Sequence, residues 1–211
     1  IKHFFKRFEM YKRLVQEFFP KLDFENLEKY VNLIEFSNKN FNLTAFSGDI
    51  LWKEGIFESI FTMNFIVGLV NNKENKKLKI LDIGAGSGFP SIPFLITNPE
   101  IELTISESMQ KRCQFLKDVS EKLDLKFNLI CKPVQEINPQ KFDIITARAV
   151  ANLEKLEKIT KKIHFPKTLL AFIKGPKVFN EVQNCKNCNY KIIKVNNNIN
   201  KKIFIAFKQV S

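Results

Sequence analysis

The chain has 211 residues, 45% of them apolar, which is enough for one sizeable core or a domain with an appendage. It has no uninterrupted apolar run of about 18 residues, so we expect no membrane span. Lys and Arg outnumber Asp and Glu by 34 to 22, a net charge of +12 that favours a polyanionic partner, although a lysine-rich coding bias would produce the same excess.

The first residue is Ile, so we expect a few native residues to precede it, and the charged start Ile1-Lys2-His3-Phe4 lacks the pattern of a signal peptide. Within residues 1–20, Phe4, Phe5, Phe8, Tyr11, Leu14, Val15, Phe18 and Phe19 recur near a 3.6-residue period, predicting an amphipathic helix stopped by Pro20. A second helix is predicted over 26–38, with Leu27, Tyr30, Val31 and Ile34 on one face. A loop around Asn42-Leu43-Thr44 precedes one or two helices over 50–70. The polar stretch 71–77 reads as a linker. We therefore expect a helical extension, residues 1–72, packed on a second domain, residues 73–211.

From Leu78 the pattern changes to strands alternating with helices. Strands are predicted at 79–83, 101–106, 127–131, 142–146, 168–173, 190–195 and 203–207. Helices are predicted at 89–97, 108–123, 152–163 and 176–184. On the helix over 108–123, Met109, Cys113, Leu116, Val119 and Leu123 form the apolar face. This alternation predicts an α/β fold with a mainly parallel seven-stranded sheet. Its last two strands, joined by the short stretch 196–202, predict an antiparallel finish.

The first strand runs into Asp82-Ile83-Gly84-Ala85-Gly86-Ser87-Gly88-Phe89-Pro90. Glycines at alternate positions allow positive φ and close approach of a ligand to backbone N–H groups. A dinucleotide fingerprint needs G-x-G-x-x-G, and Phe89 occupies its third glycine position. The pattern Asp82-x-Gly84-x-Gly86-x-Gly88 is instead similar to the first motif of class I methyltransferases, which bind S-adenosylmethionine. Glu107 ends the second strand, 23 residues after Gly84, where a carboxylate can accept both ribose hydroxyls. Gln135 and Val134 follow the third strand, placed to meet an adenine ring. Arg148 follows the fourth strand and faces the cleft, either to bind a carboxylate, phosphate or base or to form a structural ion pair.

The four cysteines, Cys113, Cys131, Cys185 and Cys188, read as reduced thiols of a cytoplasmic protein. The Cys185/Cys188 spacing lacks a partner pair, so no metal is expected.

Together these stretches resemble the RsmG (GidB) family, bacterial methyltransferases of guanine N7 in 16S rRNA. The resemblance rests on Asn42-Leu43-Thr44, Glu58-Ser59, Gly84 to Pro90, Ile92-Pro93, Glu107-Ser108, Lys111-Arg112 and Phe115-Leu116. It continues through Ala147 to Leu153 and Lys174-Gly175. It departs at Glu58 and Glu107, where the family often has Asp, and at Ser91, where it usually has Gly.

The resemblance implies a Rossmann-like, class I S-adenosylmethionine-dependent methyltransferase preceded by an N-terminal helical segment. It implies cofactor contacts from Gly84, Gly86, Gly88, Phe89, Glu107, Val134, Gln135 and Arg148. The substrate would be 16S rRNA or the small ribosomal subunit, held at its phosphates by Lys111, Arg112, Lys174 and Lys177. We expect a monomer in the cytoplasm, with no membrane partner. The residues by themselves also admit a methyltransferase of a small molecule or protein, and an rRNA-binding assembly factor without activity.

Overall fold

The computed structural model describes residues 10–19, 23–70, 77–185, 189–196 and 202–211. The expected helix start at 1–9, the Pro20 stop, the linker at 71–76, Cys188 and the turn at 197–201 lie outside the described residues. Among the described residues no helix is long and apolar enough to cross a membrane.

Three helical elements come first. Helix α1 is Met10–Phe18 and α2 is Phe24–Asn38. Asp23 starts α2 by accepting the Asn26 N–H at 3.1 Å, satisfying one of the donors a helix start leaves open. Helix α3 opens with one turn, Gly48–Ile50, widens to a π-helix over Leu51–Phe57 and returns to α geometry over Glu58–Gly68.

The sheet and its crossovers follow. They are β1 (Lys79–Ile83), α4 (Ser91–Thr97), β2 (Glu102–Ser106), α5 (Gln110–Lys122) and β3 (Asn128–Ile130). Next come β4 (Ile144–Arg148), α6 (Leu153–Thr160), β5 (Leu169–Lys174) and α7 (Val178–Asn184). β6 (Lys191–Val195) and β7 (Ile203–Gln209) complete the sheet. Short 3₁₀ turns, Val134–Glu136 and Lys161–Ile163, follow β3 and α6.

The strand order is β3-β2-β1-β4-β5-β7-β6, and β7 runs antiparallel to both its neighbours. The seven strands and the antiparallel finish are those expected. Strand order reverses between β1 and β4, which lie parallel with Asp82 opposite Thr146. At such a switch point the two following loops diverge and leave a crevice at the carboxyl edge.

Both faces of the sheet are covered, so the central strands are buried on both sides. One core joins Ile80, Ile105 and Ile144 of the sheet to Leu27, Tyr30 and Ile34 of α2 and Ile56, Ile60 and Met63 of α3. The other joins Leu81, Ile145 and Leu170 to Leu153 and Leu156 of α6 and Val178 of α7. The N-terminal helices thus share their core with the glycine-loop side of the sheet.

The structure departs from the sequence in four places. β4 spans 144–148 and not 142–146, because Ala147 and Arg148 remain in register with Phe172 and Ile173 of β5. The strand ends only where Ala149 takes φ +56°. Met109 lies outside the apolar face of α5, being half exposed, because the helix begins one residue after it. The π segment was invisible to a 3.6-residue period. Finally, Cys113 and Cys131 are free, as expected, but Cys185 is disulfide-bonded. Cys185 stands just past the end of α7.

Candidate functional site

The glycine loop turns the chain back between β1 and α4. Gly84, Gly86 and Gly88 take φ +64°, +61° and +99°, conformations that side-chain-bearing residues avoid. Two of them are also crowded. A Cβ on Gly84 would lie 2.9 Å from Val150 Cγ2, and one on Gly88 would lie 2.6 Å from Ile92 and 2.7 Å from the Tyr30 hydroxyl. Gly84 N–H donates to Ser106 O at 2.7 Å, tying the loop to the end of β2.

Glu107 is buried at that strand end. Its Oε2 accepts the Gly86 N–H at 3.0 Å and its Oε1 accepts the Met109 N–H at 2.9 Å. Two backbone donors therefore fix the carboxylate plane across the mouth of the loop, and lone pairs remain for a diol. Cys113 Sγ donates to the Glu107 carbonyl at 3.2 Å. Burial, then the neighbouring Cys131, pushes that thiol up to about 12, so it stays protonated and is no nucleophile.

Asp82 lies wholly buried beneath the loop and accepts the Ser91 hydroxyl at 2.6 Å. Burial pushes its carboxyl up to about 7, against the pull of the Ser91 hydrogen bonds. Its Oδ1 and the hydroxyl of Thr146, its register partner, are both buried without a hydrogen-bond partner. Tyr30 of α2 reaches the same loop, its hydroxyl donating to the Ser87 carbonyl at 2.5 Å. Burial raises that phenol well above its ordinary value and keeps it a donor.

Across the switch point, Arg148 ends β4. Its Nη2 lies 3.1 Å from Glu58 Oε2, and the two side chains are 16% and 2% exposed. Its Nη1 donates to the Glu54 carbonyl at 2.9 Å, and the guanidinium lies 5.7 Å from the Phe46 ring centroid. Burial lowers the Arg148 pKa, and Glu58, Glu54 and Asp82 oppose that shift. Of the two readings left open for Arg148, the ion pair is the one present. The β4 strand, the π segment of α3 and the loop before it are all joined at this guanidinium.

A cleft of about 440 Å³ opens beside Arg148, bordered by Thr62, Ala149, Ile173, Gly175 and Lys177. Val150, 38% exposed, stands over Gly84. Ala149 is held in the left-handed region to place it there.

Several expected contacts lie elsewhere than the sequence suggested. The Phe89 side chain is buried, 5.9 Å from the Tyr30 ring centroid and 6.1 Å from that of Phe46. Gly55 in the π segment makes room for it, since a Cβ there would lie 2.6 Å from Phe89 Cζ. An apolar ring gains more from that core than from a polar cleft, so only its backbone is left for a ligand. Lys174 is 10% exposed, donates to the Ala151 carbonyl at 2.7 Å and pairs with Glu181 at 2.7 Å. Its charge is thus held internally and not offered to phosphate. Val134 is buried in the core while Gln135 is exposed beside it. Lys111 and Lys177 are exposed. Arg112 lies over the loop, its guanidinium 3.9 Å from a Cβ position on Gly86.

The sequence reading gave no role to Tyr30, Phe46, Asp82 or Val150. It quoted Glu58 only within a pattern. A lone carboxylate in the apolar run Ile56 to Phe61 was the available signal for a buried partner. Among the described residues no group of His, Cys, Asp and Glu could hold a metal.

The loop and carboxylate fit a nucleoside cofactor: the glycines leave the backbone bare, and Glu107 is pre-set to accept hydroxyls. Comparison with known proteins agrees. The family described as rRNA small subunit methyltransferase G matches residues 23–203. A ribosomal RNA small subunit methyltransferase G of Mesomycoplasma hyopneumoniae is 99% identical over 202 residues, covering 96% of this chain and 100% of that protein. One of Mycoplasma mobile is 41% identical, covering 87% and 82%. In fold, the chain is similar to a magnesium protoporphyrin IX methyltransferase of Synechocystis solved with bound S-adenosylmethionine. The TM-score is 0.54 at 13% identity, over 87% of this chain and 95% of that one. The chain belongs to the rRNA small subunit methyltransferase G family.

Proposed function

We propose that the protein transfers the methyl group of S-adenosylmethionine to N7 of a guanine in 16S rRNA, in the cytoplasm and as a monomer. The observation that carries this is the pairing of a bare glycine loop with the fixed carboxylate of Glu107, next to the Arg148 cleft, in a chain of this family. Gly84, Gly86 and Gly88 line the cofactor side, Glu107 holds the ribose, and Val134 and Gln135 flank the adenine. The cofactor, when bound, supplies an electrophilic sulfonium methyl.

Guanine N7 carries an in-plane lone pair and no proton, so attack needs no general base. The task of the side chains is then orientation, which converts an encounter between two molecules into a prearranged contact. Arg148 serves that task from within. By holding Glu54, Glu58 and Phe46 it fixes the wall of the cleft. Lys111, Arg112 and Lys177 lie at the rim for rRNA phosphates, and Lys174 sets the β4–α6 loop through Ala151 and Glu181. The helices of residues 1–72 act as an extension packed on the methyltransferase domain, residues 73–211, and the shared core and the Tyr30–Ser87 bond support this.

The test is methyl transfer from labelled S-adenosylmethionine to small ribosomal subunits that lack the modification, followed by digestion and mass analysis. The expected product is 7-methylguanosine. Label on another atom, another RNA or a ribosomal protein would overturn the reading.

A further inference from the structure

We propose that the exposed face of α6, with Lys177, is the track along which a single RNA strand enters the cleft. This deepens, and rests on, the reading of the protein as an rRNA methyltransferase. Lys155 and Lys158 are exposed and three positions apart, so they share one face of the helix. Lys162, in the turn that follows, lies on the same side, its Nζ 3.5 Å from the Gln135 carbonyl. At the helical rise, Lys155 to Lys162 spans roughly 10 Å. That matches about three phosphate steps at the roughly 3.4 Å per-strand spacing of stacked nucleic acid.

The surface between these lysines and the cleft is grooved. A hollow of about 480 Å³ is bordered by Gln135, Asn152, Lys155 and Lys158. A second, of about 300 Å³, shares Asn152 and Glu154 with the first and adds Lys177 and Asn180. It shares Lys177 and Glu181 in turn with the Arg148 cleft. The three therefore adjoin in series, from the outer face of α6 to the point where the target base must sit.

The charges along this path are available. Among the described residues, Lys155, Lys158, Lys162 and Lys177 pair with no acid. The nearby Glu157 is held by Lys208 and by the Tyr190 hydroxyl at 2.6 Å, and Glu181 is held by Lys174. Glu154 and Glu136 are the exposed acids on this side. The amides of Asn152 and Asn180 offer both donors and acceptors, which suits base edges better than it suits an acidic protein segment. A larger hollow, at the opposite end of β2, is bordered by Glu102, Glu121 and Asp124 as well as Lys126, so its charge is mixed. Net charge alone did not distinguish these two surfaces; the local balance of lysine and acid does.

The test compares wild type with Lys155→Glu/Lys158→Glu and with a control, Lys122→Glu/Lys126→Glu, on the exposed far side. Binding to a fluorescent single-stranded RNA is titrated at several salt concentrations. Losing two phosphate contacts should lower the slope of log affinity against log salt by about 1.4. It should raise the KM for small subunits at least tenfold and leave the Kd for S-adenosylmethionine unchanged. The control should alter neither slope nor KM. Lys155→Gln/Lys158→Gln, a gentler pair, should show the same slope change if the reversal disturbs folding.

An unchanged slope, or an equal loss in the control, would overturn the track. So would binding lost to an acidic ribosomal protein while the RNA slope stays intact. Wild type that binds RNA with the expected slope yet transfers no methyl group would instead overturn the enzymatic reading and leave the track standing.

Discussion

Replacing Arg148 with Ala tests whether this residue supports the cleft or works on a ligand. The substitution leaves the Glu58 carboxylate, 2% exposed, without the guanidinium 3.1 Å away. It also removes the donor to the Glu54 carbonyl and the cation over Phe46. Breaking a buried pair from one side costs about 3–5 kcal/mol, because the surviving charge stays desolvated. For a chain of this size that lowers Tm by roughly 10 °C, a large share of a typical total stability. The assay is urea unfolding of wild type, Arg148→Ala, Glu58→Leu and the double variant Arg148→Met/Glu58→Leu. The double variant should be more stable than Arg148→Ala, since an apolar pair leaves no buried charge. Arg148→Ala within about 1 kcal/mol of wild type, together with a weakened cofactor or RNA affinity, would refute the supporting role and put Arg148 on a ligand. Lost turnover in Arg148→Ala is therefore not by itself a sign of a catalytic group.

The other predictions bear on the loop and the residues beneath it. Gly55→Ala drives a methyl to 2.6 Å from Phe89 Cζ and should destabilise the protein by about 1–3 kcal/mol, read by thermal unfolding; a neutral result would mean the π segment shifts freely. Tyr30→Phe leaves the Ser87 carbonyl without its donor, so stability should fall by about 1–2 kcal/mol and cofactor affinity, by calorimetry, should weaken several-fold. Equal affinity in the two proteins would detach α2 from the cofactor loop. Glu107→Gln should raise the Kd for S-adenosylmethionine at least tenfold, since an amide cannot accept at both atoms; a smaller change argues against the ribose role. Asp82 holds its proton more tightly folded than unfolded, so the stability it contributes is whole below about pH 4 and is lost as pH rises through about 7. Asp82→Asn should flatten that fall, worth on the order of 4 kcal/mol in full, in urea midpoints between pH 5 and 8. An equally steep slope in the variant would assign the titration to another group.

The number of strands and their mainly parallel direction were legible because buried parallel strands are continuous apolar runs and their crossovers show a helical period; their order in the sheet was not. The glycine-loop half of the candidate site was legible for a similar reason: alternate glycines and a strand-end carboxylate are local signals, and Glu107 does reach the positive-φ loop, accepting the Gly86 N–H. Contacts that join distant parts of the chain left almost no local trace. Nothing around Arg148 indicates that its partners are Glu54 and Glu58, some ninety residues earlier. Nothing around Lys174 indicates that Glu181, one helical turn into α7, takes its charge.

That blind spot has a physical direction, and it bears on how the site is built. A residue type predicts chemistry only if its group stays free for a ligand, and pairing inside the fold decides this. Arg148 and Lys174 were chosen from sequence as ligand groups, yet both charges are held by acids of other elements. Phe89 was chosen likewise, and its ring is buried against Tyr30 and Phe46. These three are the residues through which α2, α3, β4, β5 and α7 hold the cleft in shape. Residues left over from such pairing, Lys155 and Lys158, drew less notice because single surface lysines are common. In a chain this rich in lysine, the useful distinction is between cations the fold has already neutralised and those it has left to a partner.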